Sequence, residues 1–134
     1  MKVLFQAIYT LFSTENDFNT AMGGRLYLYH ADQENATFPY CVYSKPVGVS
    51  NYTFVEDQEE ILVQFSIFSN KNSANEIETA FEYLKSLFDD CTLTVSGWNF
   101  IFMHRAADRL IRDNGNNVWQ HDVDYNILLE KSRT

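Results

Sequence analysis

Apolar residues recur at helical spacing at the start of the chain. Over residues 2–13, Val3, Leu4, Ala7, Ile8 and Leu11 fall on one face of a helix. Ser13 or Thr14 is placed to cap a second, short helical turn carrying Phe18, Ala21 and Met22. Gly23-Gly24 stops that turn, because glycine accepts the left-handed backbone that ends helices. The period then changes to two. Residues 25–30 (RLYLYH) alternate as a strand, and a polar loop leads to Phe38-Pro39-Tyr40. Pro39 lacks a ladder donor and belongs at a strand start or an edge. Residues 40–45 form the second strand, ended by Pro46.

Residues 47–60 are less regular and read as a long projecting hairpin. Val47, Val49, Tyr52 and Phe54 alternate loosely, and Glu56-Asp57-Gln58-Glu59-Glu60 follows. The strand over 59–69 places Ile61, Val63, Phe65 and Ile67 on one face and Leu62, Gln64, Ser66 and Phe68 on the other, a pattern predicting a central strand covered on both sides. Ser73-Ala74-Asn75-Glu76 has the spacing of a capping box. The helix it opens, over 74–89, buries Ile77, Phe81, Leu84 and Leu87 or Phe88.

A short strand is expected at 92–95 and a long one over 98–112, followed by a turn at Asn114-Gly115. The return strand, 118–130, carries Trp119, His121, Val123, Tyr125, Ile127 and Leu129 on one side. A two-residue turn there would set Arg105 opposite Asp124 and Asp108 opposite His121. These elements predict an α+β fold: a mostly antiparallel sheet of five or six strands with two helices packed on it, in the order α-β-β-β-α-β-β-β, forming a single domain over residues 1–134.

Composition narrows the function classes. A chain of 134 residues with 46% hydrophobic content supports one core. The 16% aromatic content suits pleated, half-buried surfaces. The net charge of −8 disfavours a phosphate-gripping, nucleic-acid-binding role and is otherwise a solubility feature. No apolar run reaches the roughly 18 residues of a membrane span. With no signal-peptide pattern, the expected compartment is the cytoplasm, with Cys41 and Cys91 as reduced, structural thiols.

Candidate chemistry is thin. His121-Asp122 with Asp124 is the only pattern hinting at a metal site or a general base. On a strand, however, His121 faces one side while Asp122 and Asp124 face the other. His104 could reach the Asp124 side only through a hairpin register that the sequence leaves open. The acidic run 56–60 lacks the spaced ligands and turn glycine of a calcium loop. No nucleophile elbow, phosphate loop or dinucleotide fingerprint is present. The expectation is therefore no catalytic residue, no metal and no cofactor.

The ordered set of elements resembles the tail-completion, or tail-to-head joining (tail terminator), family of long-tailed, siphovirus-type phages. The resemblance rests on Gly23-Gly24-Arg25-Leu26-Tyr27 entering the first strand, and on Phe38-Pro39-Tyr40-Cys41-Val42-Tyr43. It continues through Val63-Gln64-Phe65-Ser66-Ile67-Phe68-Ser69, the helix after Ser73, Arg105-Ala106-Ala107-Asp108, and Trp119-Gln120-His121-Asp122-Val123-Asp124-Tyr125. It implies a non-enzymatic α+β subunit that caps the tail tube as a hexameric ring, ends tail elongation and joins the tail to the head. The implied partners are the tail tube protein, a head-closure or connector protein and further copies of the chain. DNA is only passing cargo, and no membrane is involved. The implied setting is the host cytoplasm during assembly, then the head–tail junction of the virion. Within that frame, Val47, Val49, Tyr52 and Phe54 are the expected partner-binding residues, and the acidity is expected to keep DNA from adhering to the channel wall. Another head–tail junction component, or a small ligand-binding domain, remains the alternative.

Overall fold

In the computed structural model, residues 2–31, 37–45 and 58–131 are described. Three helices, α1 (Lys2–Phe12), α2 (Asp17–Met22) and α3 (Asn75–Phe88), accompany five strands. The strands are β1 (Leu26–Leu28), β2 (Tyr40–Ser44), β3 (Gln58–Ser69), β4 (Trp98–Asp113) and β5 (Val118–Lys131). They form one sheet in the order β1-β2-β3-β5-β4. β1 pairs parallel to β2, and every other pairing is antiparallel. The α+β class and the mostly antiparallel sheet are as the sequence predicts, with the 13–22 turn adding a third helix.

The core lies between the helices and one face of the sheet. Leu4, Ile8 and Phe12 of α1, Phe18 and Met22 of α2, and Ile77, Leu84 and Phe88 of α3 are buried. They meet Ile61, Val63, Phe65 and Ile67 of β3 and Val123, Tyr125, Ile127 and Leu129 of β5. Phe65 stands at the centre: its ring stacks on Phe88 with centroids 4.7 Å apart and meets Tyr125 edge-on at 5.7 Å. Such contacts add to the area the rings remove from water.

Several local expectations are corrected. Asn16, not Ser13 or Thr14, caps α2: its side chain accepts from Asn19 N at 2.7 Å. The hydroxyls of Ser13 and Thr14 instead donate back to the carbonyls of Tyr9 and Leu11 and close α1. Gly23 does end α2 in the left-handed region, with φ of 62°. The Ser73–Glu76 box does not form. Glu76 accepts from the buried Ser69 hydroxyl at 2.6 Å, while Ser73 Oγ accepts from Asn75 N. Ser69 sits at the buried end of β3, where a hydroxyl without a partner is costly, so it takes the carboxylate.

Residues 92–95 are not a strand. Leu93 and Val95 are buried and Thr92 and Thr94 exposed, so the alternation is real, but it is met by packing in the core without a ladder. β3 is central, yet its helix-facing side alone is covered by helices. The sheet's other face carries half-buried Leu62, Gln64, Ser66 and Phe68, with Gln64 and Ser66 bonded to Asp124 and Asp122 of β5 and Phe68 stacked on Tyr40 of β2.

The last hairpin also differs. A four-residue turn, 114–117, separates β4 from β5, with positive φ at Asn117 and none at Asn114 or Gly115. Asp113 holds this turn by accepting from Gly115 N and Asn116 N. Irregularities between Phe100 and Phe102 and between Arg105 and Ala107 shift the register further. Arg105 faces Tyr125, Ala107 faces Asp124 and Leu110 faces His121.

Candidate interaction surfaces

Three surfaces gather the polar and exposed apolar groups. The first is the sheet face turned away from the helices. Strand alternation puts Ser66, Gln64, Asp122 and Asp124 there, and the register sets Ser66 opposite Asp122 and Gln64 opposite Asp124. Ser66 Oγ donates to Asp122 at 2.7 Å and Gln120 Nε2 donates to the same oxygen at 2.8 Å. Gln64 Nε2 donates to Asp124 at 2.9 Å, and Arg109 reaches Asp122 at 3.6 Å. This polar band crosses β3, β5 and β4. It surrounds Asp122, which is 7% exposed, with partners inside the chain. At one end of the band, Phe38, Tyr40, Phe68 and Tyr27 form an aromatic cluster, with the Tyr40 and Phe68 rings stacked at 5.0 Å. Pro39, in a cis peptide with Phe38, stands just ahead of β2, as its missing donor requires.

The second surface is where α3 meets the hairpin. His121 is buried, and its Nε2 lies 2.8 Å from Asp108 Oδ2. Phe81 covers the imidazole at 4.0 Å between centroids. Nearby, Asp89 accepts from the Tyr125 hydroxyl and from Arg105 Nε at 3.2 Å, tying the end of α3 to the sheet. The sequence register for Asp108 and His121 fails, yet the two still pair, because Asp108 lies two residues from Leu110 on the same face. His121 stands apart from Asp122 and Asp124, as alternation requires. His104 pairs with Asp90 at 3.6 Å. Among the described residues no group of His, Cys, Asp and Glu is arranged to hold a metal ion.

Burial pushes the Cys41 thiol well above its ordinary range and raises that of Cys91 to about 11. Neither is a ready nucleophile, since the thiolate is the reactive form. Among the described residues no helix is long and apolar enough to cross a membrane.

The third surface is a cleft of about 850 Å³ between α1 and β1, lined by Phe5, Tyr9, Leu28, Tyr29 and Tyr43 with Lys2 at the rim. Tyr9 is 45% exposed, Leu28 41% and Tyr29 55%. The sequence reading did not isolate it. The signal was present in RLYLYH, whose apolar and aromatic groups exceed what one buried face of a short strand absorbs. The residues expected to bind partners, Val47, Val49, Tyr52 and Phe54, lie outside the described residues, as do Glu56 and Asp57.

A family profile described as "Tail completion protein gp17" matches residues 6–130. The chain belongs to this family. It is a bacteriophage structural protein of tail and head–tail assembly, and the family's members are structural proteins. No curated protein sequence matches the chain. Among solved structures, a chain from the "Virion of native gene transfer agent (GTA) particle" superimposes with a TM-score of 0.78 at 11% identity, covering 93% of this chain and 92% of that one. A second solved chain superimposes with a TM-score of 0.54 at 9% identity, covering 99% of this chain and 96% of the other. At these identities the likeness is one of fold. That fold is shared nearly end to end.

Proposed function

We propose that this protein closes the head-proximal end of the phage tail tube as a ring, most simply of six copies, ending tube growth and presenting a surface to the head connector. The observation that carries this reading is the family match across residues 6–130. The likeness to a chain of a gene transfer agent virion supports a place in a particle. The surfaces agree with it: the polar groups of the site are spent on holding the fold, and the exposed apolar groups are available to other proteins. On this reading the protein performs no turnover. Its partners are the tail tube protein, a head-closure or connector protein and its own copies, it assembles in the host cytoplasm, and DNA passes through the ring. Val47, Val49, Tyr52 and Phe54 then belong to contacts with these partners. The strong negative charge, multiplied by the copies in a ring, keeps DNA from adhering to the wall it passes.

Gold-labelled antibody against the protein tests the position. Label is expected at the junction between tail and head of intact particles, and at one end only of unattached tails. Label along the tube, at the distal tip or on the portal of tailless heads contradicts the proposal.

A further inference from the structure

A ring of more than two copies needs two unlike patches on each subunit, because the contact runs head to tail. Among the described residues, the large apolar side chains that remain exposed fall in two places. Tyr9, Leu28 and Tyr29 lie at the β1 edge of the sheet, and Ile101 and Leu110 lie on β4, the opposite edge. The geometry points to a subunit contact in which Leu110 of one copy enters the α1–β1 cleft of the next. This inference rests on the ring reading and specifies its interface.

Register selects Leu110 over Ile101. Leu26, Cys41, Ile67, His121 and Leu110 form one row across the five strands. Leu28 lies two residues along its strand, in the row that ends at Asp108, and it shares the helix-side face with Leu110. Rotation about a ring axis keeps each residue at its own height. With strands running along that axis, Leu110 comes within two residues, about 7 Å, of the level of Leu28. Ile101 follows Phe100, whose row passes through Leu129 and Glu59, beyond the stretch of β3 that β2 pairs with.

The chemistry also fits: the exposed rings of Tyr9 and Tyr29 beside Leu28 give the cleft an apolar wall suited to an aliphatic side chain such as that of Leu110. Strand addition is disfavoured at both edges. The Leu28 carbonyl already accepts from His30 N, and β4 is irregular at two places. The joint is therefore made by side chains.

A double variant, Leu28→Cys with Leu110→Cys, tests this on purified tails under mild oxidation. Within one chain the two positions are four strand spacings apart, about 19 Å, too far for a disulfide. The expected result is a ladder of covalent oligomers on a non-reducing gel, ending at the copy number of the ring and collapsing with reductant. Each single variant and the parent chain are expected to stay monomeric on the gel. No ladder from tails whose ring is visible by electron microscopy overturns the contact and leaves the ring reading intact. A ladder from Leu28→Cys with Ile101→Cys instead, or dimers from Leu28→Cys alone, overturns it in the same way. A large drop in melting temperature for Leu28→Ser, with assembly unchanged, shows that the chain itself covers the cleft and also overturns it. Tails with no ring at their end remove the ring reading and this contact together.

Discussion

Replacing Phe65 with Ala is expected to destabilise the protein by about 3–5 kcal/mol, the range for truncating a fully buried aromatic residue. Phe65 is wholly buried at the centre of β3, stacked on Phe88 of α3 and in contact with Tyr43 of β2 and Tyr125 of β5. Its removal therefore opens space where one helix and three strands converge, and rings on several sides cannot all move in to fill it. The loss adds the cavity cost to the transfer free energy of the ring. Urea unfolding followed by circular dichroism checks it. A midpoint within error of the parent protein would mean that the core is not centred on β3.

The second large effect is alkaline destabilisation. Burial pushes the pKa values of Cys41, Cys91, Tyr43 and Tyr125 above their ordinary values, that of Cys91 to about 11 and that of Tyr43 to about 12. For Tyr125, burial comes first and the hydrogen bond to Asp89 second. These groups are neutral when protonated. As pH rises past 9.0 for the thiols and 10.0 for the phenols, the unfolded chain releases protons that the folded chain retains. The unfolded state then binds fewer protons, and the stability of the folded state falls. Each group steepens the fall by up to about 1.4 kcal/mol per pH unit. The contribution of Cys91 levels off above pH 11 and that of Tyr43 above pH 12. Below pH 9 these groups contribute no pH dependence. Urea midpoints at pH 8, 10 and 11 are expected to drop progressively, with a shallower drop for Tyr125→Phe. A flat profile from pH 8 to 11 would contradict the burial of these groups.

The elements that the sequence makes legible are those whose periodicity and burial coincide. β5 carries its six inward residues from Trp119 to Leu129 as the alternation predicts, and Gly23 ends α2 with the backbone only glycine adopts freely. The failures share a cause. Alternation reports which side chains are buried and not whether the backbone between them is paired, so residues 92–95 look like a strand and are none. Apolar groups on both faces of β3 imply two covers, and among the described residues helices cover one face while the outer-facing positions are half-buried. A capping motif competes with other claims on its residues, and Ser69 outbids Ser73 for Glu76. The hairpin register depends on turn length and on two irregular positions in β4 that leave no local mark in the sequence. The α1–β1 cleft depends on which strand becomes the sheet edge, a property of topology, so Tyr9 and Tyr29 look like ordinary surface tyrosines until β1 is placed.

The family assignment was legible for a related reason. It rests on an ordered set of weak segments, from Phe38-Pro39-Tyr40 to Trp119-Gln120-His121, each of which the structure turns into a packed element. Their carboxylates have partners within the chain. Asp108 orients His121, Asp89 takes the Tyr125 hydroxyl, and Asp122 is occupied by Ser66 and Gln120. The carboxylates that a sequence search would nominate for catalysis are structural ties.

Electron microscopy of lysates from the phage or prophage with this gene deleted tests the central claim most directly. A ring that finishes the tube predicts DNA-filled heads without tails alongside unattached tails, many of them overlong, with joining restored when the purified protein is added. Normal, infectious virions in the absence of the protein would contradict the account.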